Sequence, residues 1–465
     1  MLKLGGQKLN TQTLLWILAD ICFIFIALVL AIGIRFIHWH AIVGYLLVPG
    51  AAFRLTLPIV VCELALYYQD LYNPEAVRRF AELVVRLLQA LGMACLALAV
   101  VYFTDPDHSL GRGIAVLASP IIVLLLLGWR MLLEHKGFQL SEPRRVLVVG
   151  TGPAGIALVR EIIRRPELKL KVVGFLDETG ENIGKSLVNP GIIGAVADVH
   201  EIATNLRAER VVLSLAERRG NTPVRQLLDL KFAGIGVEDA HSVWEEISGR
   251  IHLQHLSPSW LILSDGFRKP RLLLATKRCG DFLAALLGLV IALPVMLIIA
   301  IAIWLETGAP ILFRQERTGM KGRPFQMLKF RSMNLNAEEH GPAWAADGDH
   351  RITRVGRIIR KLRFDELPQF INVLRGEMSL VGPRPERPMF CEMLEREIPL
   401  YAQRHSVRPG ITGWAQVKYQ YGASVEESKT KLEYDLFYIK HMSTLLDLAI
   451  IFETIKVLFT GRGAK

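Results

Sequence analysis

Long apolar stretches separated by short polar joints dominate the N-terminal part of the chain. Thr13 to Phe36 is almost wholly apolar, interrupted by Asp20. Arg54 to Tyr68 is a second stretch, with Pro58 and Glu63 inside it, and Leu83 to Phe103 and Gly113 to Trp129 are a third and a fourth. A helix crossing the ~30 Å hydrocarbon layer needs about 20 such residues, so the pattern predicts four membrane spans, the second and fourth short or interrupted. The first run is too long for a cleaved signal peptide, and no small-residue cleavage site follows it. Asp20 and Glu63 mark either a polar pathway or groups that pair within the bundle. Lys3, Lys8, Arg78, Arg79, Lys136, Arg144 and Arg145 flank one side, against Arg35, Arg54 and Arg112 with Asp105 and Asp107 on the other. This bias places the N-terminus and everything after the fourth span on the cytoplasmic side.

The pattern changes at Arg145. Arg145-Val-Leu-Val-Val reads as a buried strand running into Gly150-Thr-Gly152-Pro-Ala-Gly155, and Ile156 to Arg165 reads as a helix stopped by Pro166. Further strands are expected at Lys171–Asp177 and Arg210–Leu215. The order is βαβ, with G-x-G-x-x-G at the strand-to-helix turn and Asp177 where a ribose-binding acid would sit. Either Gly150, Gly152 and Gly155 offer backbone N–H groups to a phosphate, or they only permit a tight turn.

A fifth apolar run, Phe282 to Leu305, contains no charged residue, but Pro294 stands at its centre. Basic residues flank both ends: Lys269, Arg271, Lys277 and Arg278 before it, Arg314, Arg317, Lys321 and Arg323 after it. A crossing would strand one cluster on the far side. A helix broken at Pro294 that re-enters the same face keeps both clusters in the cytoplasm, and each half, about 18 Å long, is too short to cross alone. The other reading is an ordinary proline-kinked span.

Composition sharpens this picture. Of 465 residues, 51% are hydrophobic and 21% charged, mean hydropathy is +0.33 and net charge is +11. A disordered chain is excluded, and a basic excess on an apolar protein points to anionic partners. The five cysteines are scattered singly, which argues against a thiolate zinc site or a disulfide framework.

The densest chemistry lies between Arg314 and Arg387, where 15 Lys/Arg stand against 9 Asp/Glu. Arg351, Arg354, Arg357, Arg360, Lys361 and Arg363 are followed directly by Asp365-Glu366-Leu-Pro368, and Val381-Gly-Pro-Arg384-Pro385 adds an arginine on a rigid turn. Arginines neutralise phosphate oxygens with forked hydrogen bonds, while a carboxylate serves as nucleophile, base or Mg²⁺ ligand. The constellation suits phosphoryl transfer. The arginine run also reads as a solvated basic face on lipid headgroups.

Lys277-Arg278-x-x-Asp281, Arg314-Gln-Glu-Arg317-x-Gly319, Lys329-Phe-Arg331-Ser-Met333, Asp365-Glu-Leu-Pro-Gln369, Asn372, Gly376-x-Met378-Ser-Leu-Val-Gly-Pro-Arg-Pro385 and Arg408-Pro-Gly-x-Thr-Gly-Trp414 closely resemble the bacterial sugar transferase family of polyprenyl-phosphate phosphoglycosyl transferases. The resemblance runs from Lys277 to the C-terminus. The spans and the Rossmann-like insert resemble the family's long form, and Ser257 to Phe267 is similar to its exosortase-associated exopolysaccharide subgroup. The resemblance implies that Asp365 attacks the β-phosphate of a UDP-sugar, releasing UMP and holding the phosphosugar until undecaprenyl phosphate takes it. It makes Glu366 the partner carboxylate at a Mg²⁺ site shared with Asp365. Arg360, Arg384, Arg314, Arg317, Lys329 and Arg331 become the phosphate-binding set, and Pro294 the break of a re-entrant helix. The family often has Ser before that proline, where this chain has Leu293.

The fold expected is a membrane α-helical bundle over residues 1–138, an α/β Rossmann-like domain over 139–256, and an α/β catalytic domain with a re-entrant membrane helix over 257–465. The partners expected are a UDP-sugar, undecaprenyl phosphate, the bilayer and a second copy of the chain, with no nucleic acid. An NAD-type dinucleotide bound in the middle domain would take no part in the transfer. Two other readings stand beside this one. A membrane-bound NAD-dependent nucleotide-sugar dehydratase or epimerase would need Tyr-x-x-x-Lys, and none of the ten tyrosines has Lys four positions on. A non-catalytic sensor or scaffold would leave Asp365, Glu366 and the arginines unexplained.

Overall fold

The structure, a computed structural model, describes residues 3–4, 7–8, 11–36, 39–47, 50–72, 80–106, 109–135, 143–215, 223–253, 264–335, 351–419 and 424–460. The apolar runs form α1 (Thr11–Phe36), α3 (Ala51–Tyr68), α4 (Phe80–Thr104) and α5 (Arg112–His135), with a short α2 (Trp39–Leu47) that the hydropathy pattern did not suggest. By length and composition α1, α3, α4 and α5 can cross a membrane. Leu28, Leu66, Leu87 and Leu126 make the bundle core, while residues such as Leu96, Val100 and Leu124 remain exposed for lipid. Asp20 and Glu63 meet at one point. Tyr72 Oη lies 2.9 Å from Asp20 Oδ2 and 2.7 Å from Glu63 Oε2, and Arg130 Nη2 donates to Asp20 Oδ2 at 2.6 Å. The two acids are thus held within the bundle, as buried charges require.

The middle of the chain folds as the βαβ pattern predicts. The strands β1 (Arg144–Val149), β2 (Leu170–Asp177), β3 (Ile192–Ala195), β4 (Arg210–Leu213) and β5 (Gly236–Asp239) are all parallel, in the order β3-β2-β1-β4-β5. Helices α6 (Pro153–Arg164), α7 (Val199–Asn205) and α8 (Val224–Phe232) lie between successive strands, and α9 (Ala240–Ser248) follows the last of them. Val146 and Val148 pack into one layer and Leu147 and Val149 into another. That is why β1 carries an unbroken apolar run: both faces of a parallel sheet are covered.

Then comes α10 (Arg271–Thr307), one helix of 37 residues with Pro294 inside it. The sequence divides this stretch into two halves at Pro294. In the structure the helical hydrogen bonding continues through Pro294, which lies on an exposed face where one missing N–H bond is tolerated. Both ends of α10 are tied to the elements that follow. These are the antiparallel pair β6 (Leu312–Thr318) and β7 (Pro324–Phe330), α11 (Arg354–Lys361), α12 (Gln369–Arg375) and β8 (Ser379–Val381). Next come α13 (Pro388–Glu397), β9 (Gly410–Thr412) pairing parallel with β8, α14 (Trp414–Lys418), α15 (Val425–His441) and α16 (Thr444–Thr460).

Long-range contacts join the three parts. Trp414 Nε1 donates to Gly249 O at 2.8 Å, and Glu245 on α9 accepts from Lys440 and lies 2.7 Å from His441 Nε2, both on α15. Tyr67 donates to Glu453 at 2.5 Å and Asp70 pairs with Lys456, so α16 straps the bundle to the C-terminal part. The segment carrying the exopolysaccharide-subgroup resemblance falls for the most part, at residues 257–263, outside the described residues.

Candidate active site

Asp365 and Glu366 sit on a single 3₁₀ turn, Phe364–Glu366, entered from α11 through Arg363, whose φ of 59° lies in the left-handed region. That conformation is strained for a residue with a Cβ, and it reverses the chain so that both carboxylates face back toward β7. Asn372 on α12 fixes the distance. Its Oδ1 accepts from Leu328 N at 3.0 Å and its Nδ2 donates to Gln326 O at 2.8 Å, stitching the helix to the strand. Lys329, next along β7, then reaches Glu366 Oε1 at 3.0 Å. Arg384 Nη2 donates to the same oxygen at 2.7 Å from the turn after β8.

That turn is set by a close backbone crossing. Gly382 N donates to Thr412 O and Gly410 N to Pro383 O, each at 2.9 Å. A Cβ on Gly410 would stand 2.1 Å from Gly382 N, so the crossing admits only glycine there. The Gly-Pro-Arg-Pro and Arg-Pro-Gly motifs are two halves of one crossing, in which Ser379 stands opposite Gly410 and Val381 opposite Thr412, 31 positions apart.

The electrostatics separate the two carboxylates. Burial pushes the Asp365 carboxyl up, Glu366 beside it adds to this, and Lys329, Arg384 and Arg360 only partly offset it. Burial would raise Glu366 as well, but Arg384 and Lys329, bonded directly to it, hold its carboxyl well below the usual carboxylate range. Glu366 is therefore a fixed anion between two cations. Asp365, 9% exposed, is the more basic and less committed group.

The predicted basic set divides. Lys329 and Arg384 bind Glu366, and Arg360 acts on Asp365 through its charge. The other three do not join them. Arg317 donates to Gln315 Oε1 and, at 3.0 Å, to Pro385 O, so it braces the arginine turn; burial pushes its pKa down to about 10. Arg331, one residue past the end of β7, donates to Thr307 O and Gly308 O and caps the C-terminus of α10. Arg314 is exposed on β6 and bonds neither carboxylate. The arginine run splits likewise: Arg354, Arg357 and Lys361 are exposed, whereas Arg360 is half-buried and its charge acts on Asp365.

Among the described residues no group of three or more His, Cys, Asp or Glu converges to hold a metal. The donor set left is Asp365 and Glu366 Oε2. That fits Mg²⁺ only in the mode where substrate phosphates supply further oxygens.

In the middle domain the glycine turn is closed from within. Ser214 Oγ accepts from Gly155 N at 2.7 Å and Ser214 O from Gly152 N at 3.1 Å. Cβ atoms at Gly150, Gly152 or Gly155 would lie 2.5–2.7 Å from Ser214. The glycines thus admit Ser214, which takes N–H groups a phosphate would need. Asp177 is equally committed: it accepts from Thr179 Oγ1 at 3.0 Å, Gly180 N at 2.9 Å and Asn182 Nδ2 at 3.2 Å. Burial would raise its carboxyl, and these bonds more than reverse that.

The bacterial sugar transferase family matches residues 272–461, and a CoA-binding domain family matches residues 68–230. Over 242 residues the chain is 46% identical to a UDP-N-acetylgalactosamine-undecaprenyl-phosphate N-acetylgalactosaminephosphotransferase of Aeromonas hydrophila, covering 52% of this chain and 56% of that protein. It is 34% identical to a UDP-glucose:undecaprenyl-phosphate glucose-1-phosphate transferase of Klebsiella pneumoniae over 69% of each chain. The transferase of the same name from Escherichia coli (strain K12) is 33% identical, over 72% of this chain and 71% of its own. The chain belongs to the bacterial sugar transferase family, in the long form of the phosphoglycosyl transferases.

Proposed function

We propose that the protein transfers a sugar phosphate from a UDP-sugar to undecaprenyl phosphate at the cytoplasmic face of the bacterial inner membrane, the first membrane step of exopolysaccharide synthesis. One observation carries the reading: a buried, basic Asp365 stands beside a Glu366 already neutralised by Lys329 and Arg384. In this reading an Asp365 oxygen attacks the β-phosphorus of the UDP-sugar. The bond from that phosphorus to the bridging oxygen breaks, and UMP leaves with the electron pair. A phosphate oxygen of undecaprenyl phosphate then attacks the same phosphorus and frees the Asp365 carboxylate. Glu366 anchors Lys329 and Arg384 where the leaving phosphate passes, and Arg360 adds a third cation. Mg²⁺, held by Asp365 and Glu366 with the diphosphate, would supply further neutralisation of the leaving group.

The re-entry of α10 belongs to the same reading. Near its start Lys277 pairs with Asp447 at 2.7 Å, and Arg278 donates to Val373 O and Leu374 O. At its end Glu306 accepts from Arg354 N and Val355 N, and Thr307 O from Arg331. A crossing helix leaves its ends on opposite faces of a ~30 Å layer, whereas these ends hold one body. Leu287, Val290 and Ile291 between them stay exposed, as lipid contact requires.

The relatives' names divide between glucose and N-acetylgalactosamine. UMP release with undecaprenyl phosphate and a panel of UDP-sugars tests the activity and assigns the sugar; no release with any of them refutes the reading. Cysteines at Arg268 and Ala309, in a chain lacking the native five, should both resist an impermeant thiol reagent in whole cells. Labelling at position 309 alone would mean a true crossing.

A further inference from the structure

The turn that carries Arg384 is poor in backbone donors. Pro383 and Pro385 have no N–H, so its carbonyl groups must find donors elsewhere. Each of three successive carbonyls has one. Pro383 O accepts from Gly410 N at 2.9 Å, Arg384 O from Arg404 Nη2 at 3.0 Å and Pro385 O from Arg317 Nη1 at 3.0 Å. The middle donor is a buried side chain: Arg404 is 6% exposed. Its other branch donates to Tyr401 Oη at 2.5 Å, and it pairs at 2.8 Å with Asp435 of α15, which is 1% exposed. A buried ion pair gains little over apolar packing in stability; what it supplies here is a planar fork held in one orientation.

We propose that Arg404, locked by Asp435 and Tyr401, is a positioning residue for the transfer reaction: it seats the Arg384 carbonyl so that the Arg384 guanidinium meets Glu366. The chain of contacts runs from α15 to the carboxylates in three steps: Asp435 to Arg404, Arg404 to Arg384 O, and Arg384 Nη2 to Glu366 Oε1 at 2.7 Å. This inference rests on the transfer reaction proposed above.

Lysine keeps the charge of Arg404, but its three donors radiate from a single nitrogen and cannot reproduce the planar fork that reaches Tyr401 with one Nη and Arg384 O and Asp435 with the other. Arg404→Lys should lower kcat/KM for the UDP-sugar by about 30-fold, the scale of one hydrogen bond to a charged group. In an Arg384→Ala background the same substitution should cost less than about twofold, because its route to the site is already cut. Equal losses in both backgrounds would make Arg404 merely structural and overturn the proposal. Hydrogen exchange of the full chain in nanodiscs gives a readout that needs no turnover. Amides of residues 382–387 should exchange at least about tenfold faster in Arg404→Lys while the helices of the bundle keep their protection. Unchanged protection of the turn overturns the proposal even if wild type releases no UMP; that failure would count against the reaction alone. Should Arg404→Lys not fold, Tyr401→Phe loosens the same fork and should shift exchange of the turn in the same direction.

Discussion

Two regions of this chain carry the marks of phosphate chemistry, and they differ in who holds the polar groups. In the sheet domain the N–H groups of Gly152 and Gly155 belong to Ser214, and Asp177 binds its own loop. Near the membrane helix, Glu366 is bound by Lys329 and Arg384, while Asp365 is left buried and basic with Arg360 close by. One arrangement is closed and the other is charged and incompletely satisfied. A motif signals a ligand only where folding leaves its donors or acceptors unspent, because an unspent buried polar group is costly unless a ligand completes it.

The largest test removes the unspent group. Asp365→Asn should lower turnover by roughly 10⁴-fold or more, the scale of losing a covalent nucleophile. Incubation with labelled UDP-sugar should leave label on wild type only; label on Asp365→Asn would remove Asp365 from the nucleophile's role.

Next in size is the division among the basic residues. Arg384→Ala should lose about 1.5–3 kcal/mol of transition-state stabilisation, or roughly 10- to 150-fold in kcat/KM. Arg314→Ala should stay within about twofold, as exposed substitutions usually do. Comparable losses at both would favour a diffuse basic patch over a built site.

The pH profile sharpens the contrast between the carboxylates. Because burial raises the Asp365 carboxyl, activity should fall on the acid side at a pH above the ~3.9 of a free aspartate. Glu366 is lowered, so its stabilisation of the fold is complete above the unfolded value of ~4.3 and is lost only as pH falls through its depressed folded value. It stays ionised across the limb, which therefore reports Asp365. Arg384→Ala removes a charge that lowers Asp365 and should move the limb to higher pH; a limb unmoved, or one at ~3.9 in wild type, contradicts the assignment.

The smallest effects on activity belong to the closed motif. Ser214→Ala orphans the Gly155 N–H and should cost about 1–3 kcal/mol of stability. Transfer by the folded fraction should be unchanged, and so should transfer by Asp177→Asn. A change in KM for the UDP-sugar in either variant, with folding intact, would reopen the sheet domain as a substrate site.

Much of this was legible in the sequence, because the signals are local. Four spans follow from runs of apolar residues, the sheet strands Arg145–Val149 and Lys171–Asp177 from short apolar runs, and the glycine turn from its place between strand and helix. The pairing of Asp365 with Glu366 is adjacency in the chain. Partner choice is different, because it depends on which distant segments fold together. Lys329 meets Glu366 across 37 positions and Ser214 closes on Gly155 across 59. Arg331, two residues from Lys329, goes instead to Thr307 at the end of the membrane helix, 24 positions back. Six basic residues look equivalent in a motif; only the tertiary structure decides that Lys329, Arg384 and Arg360 serve the carboxylates while Arg317 and Arg331 satisfy backbone carbonyls. The physical reason is that each buried donor must find an acceptor, and local sequence does not say which acceptor packing brings within 3 Å.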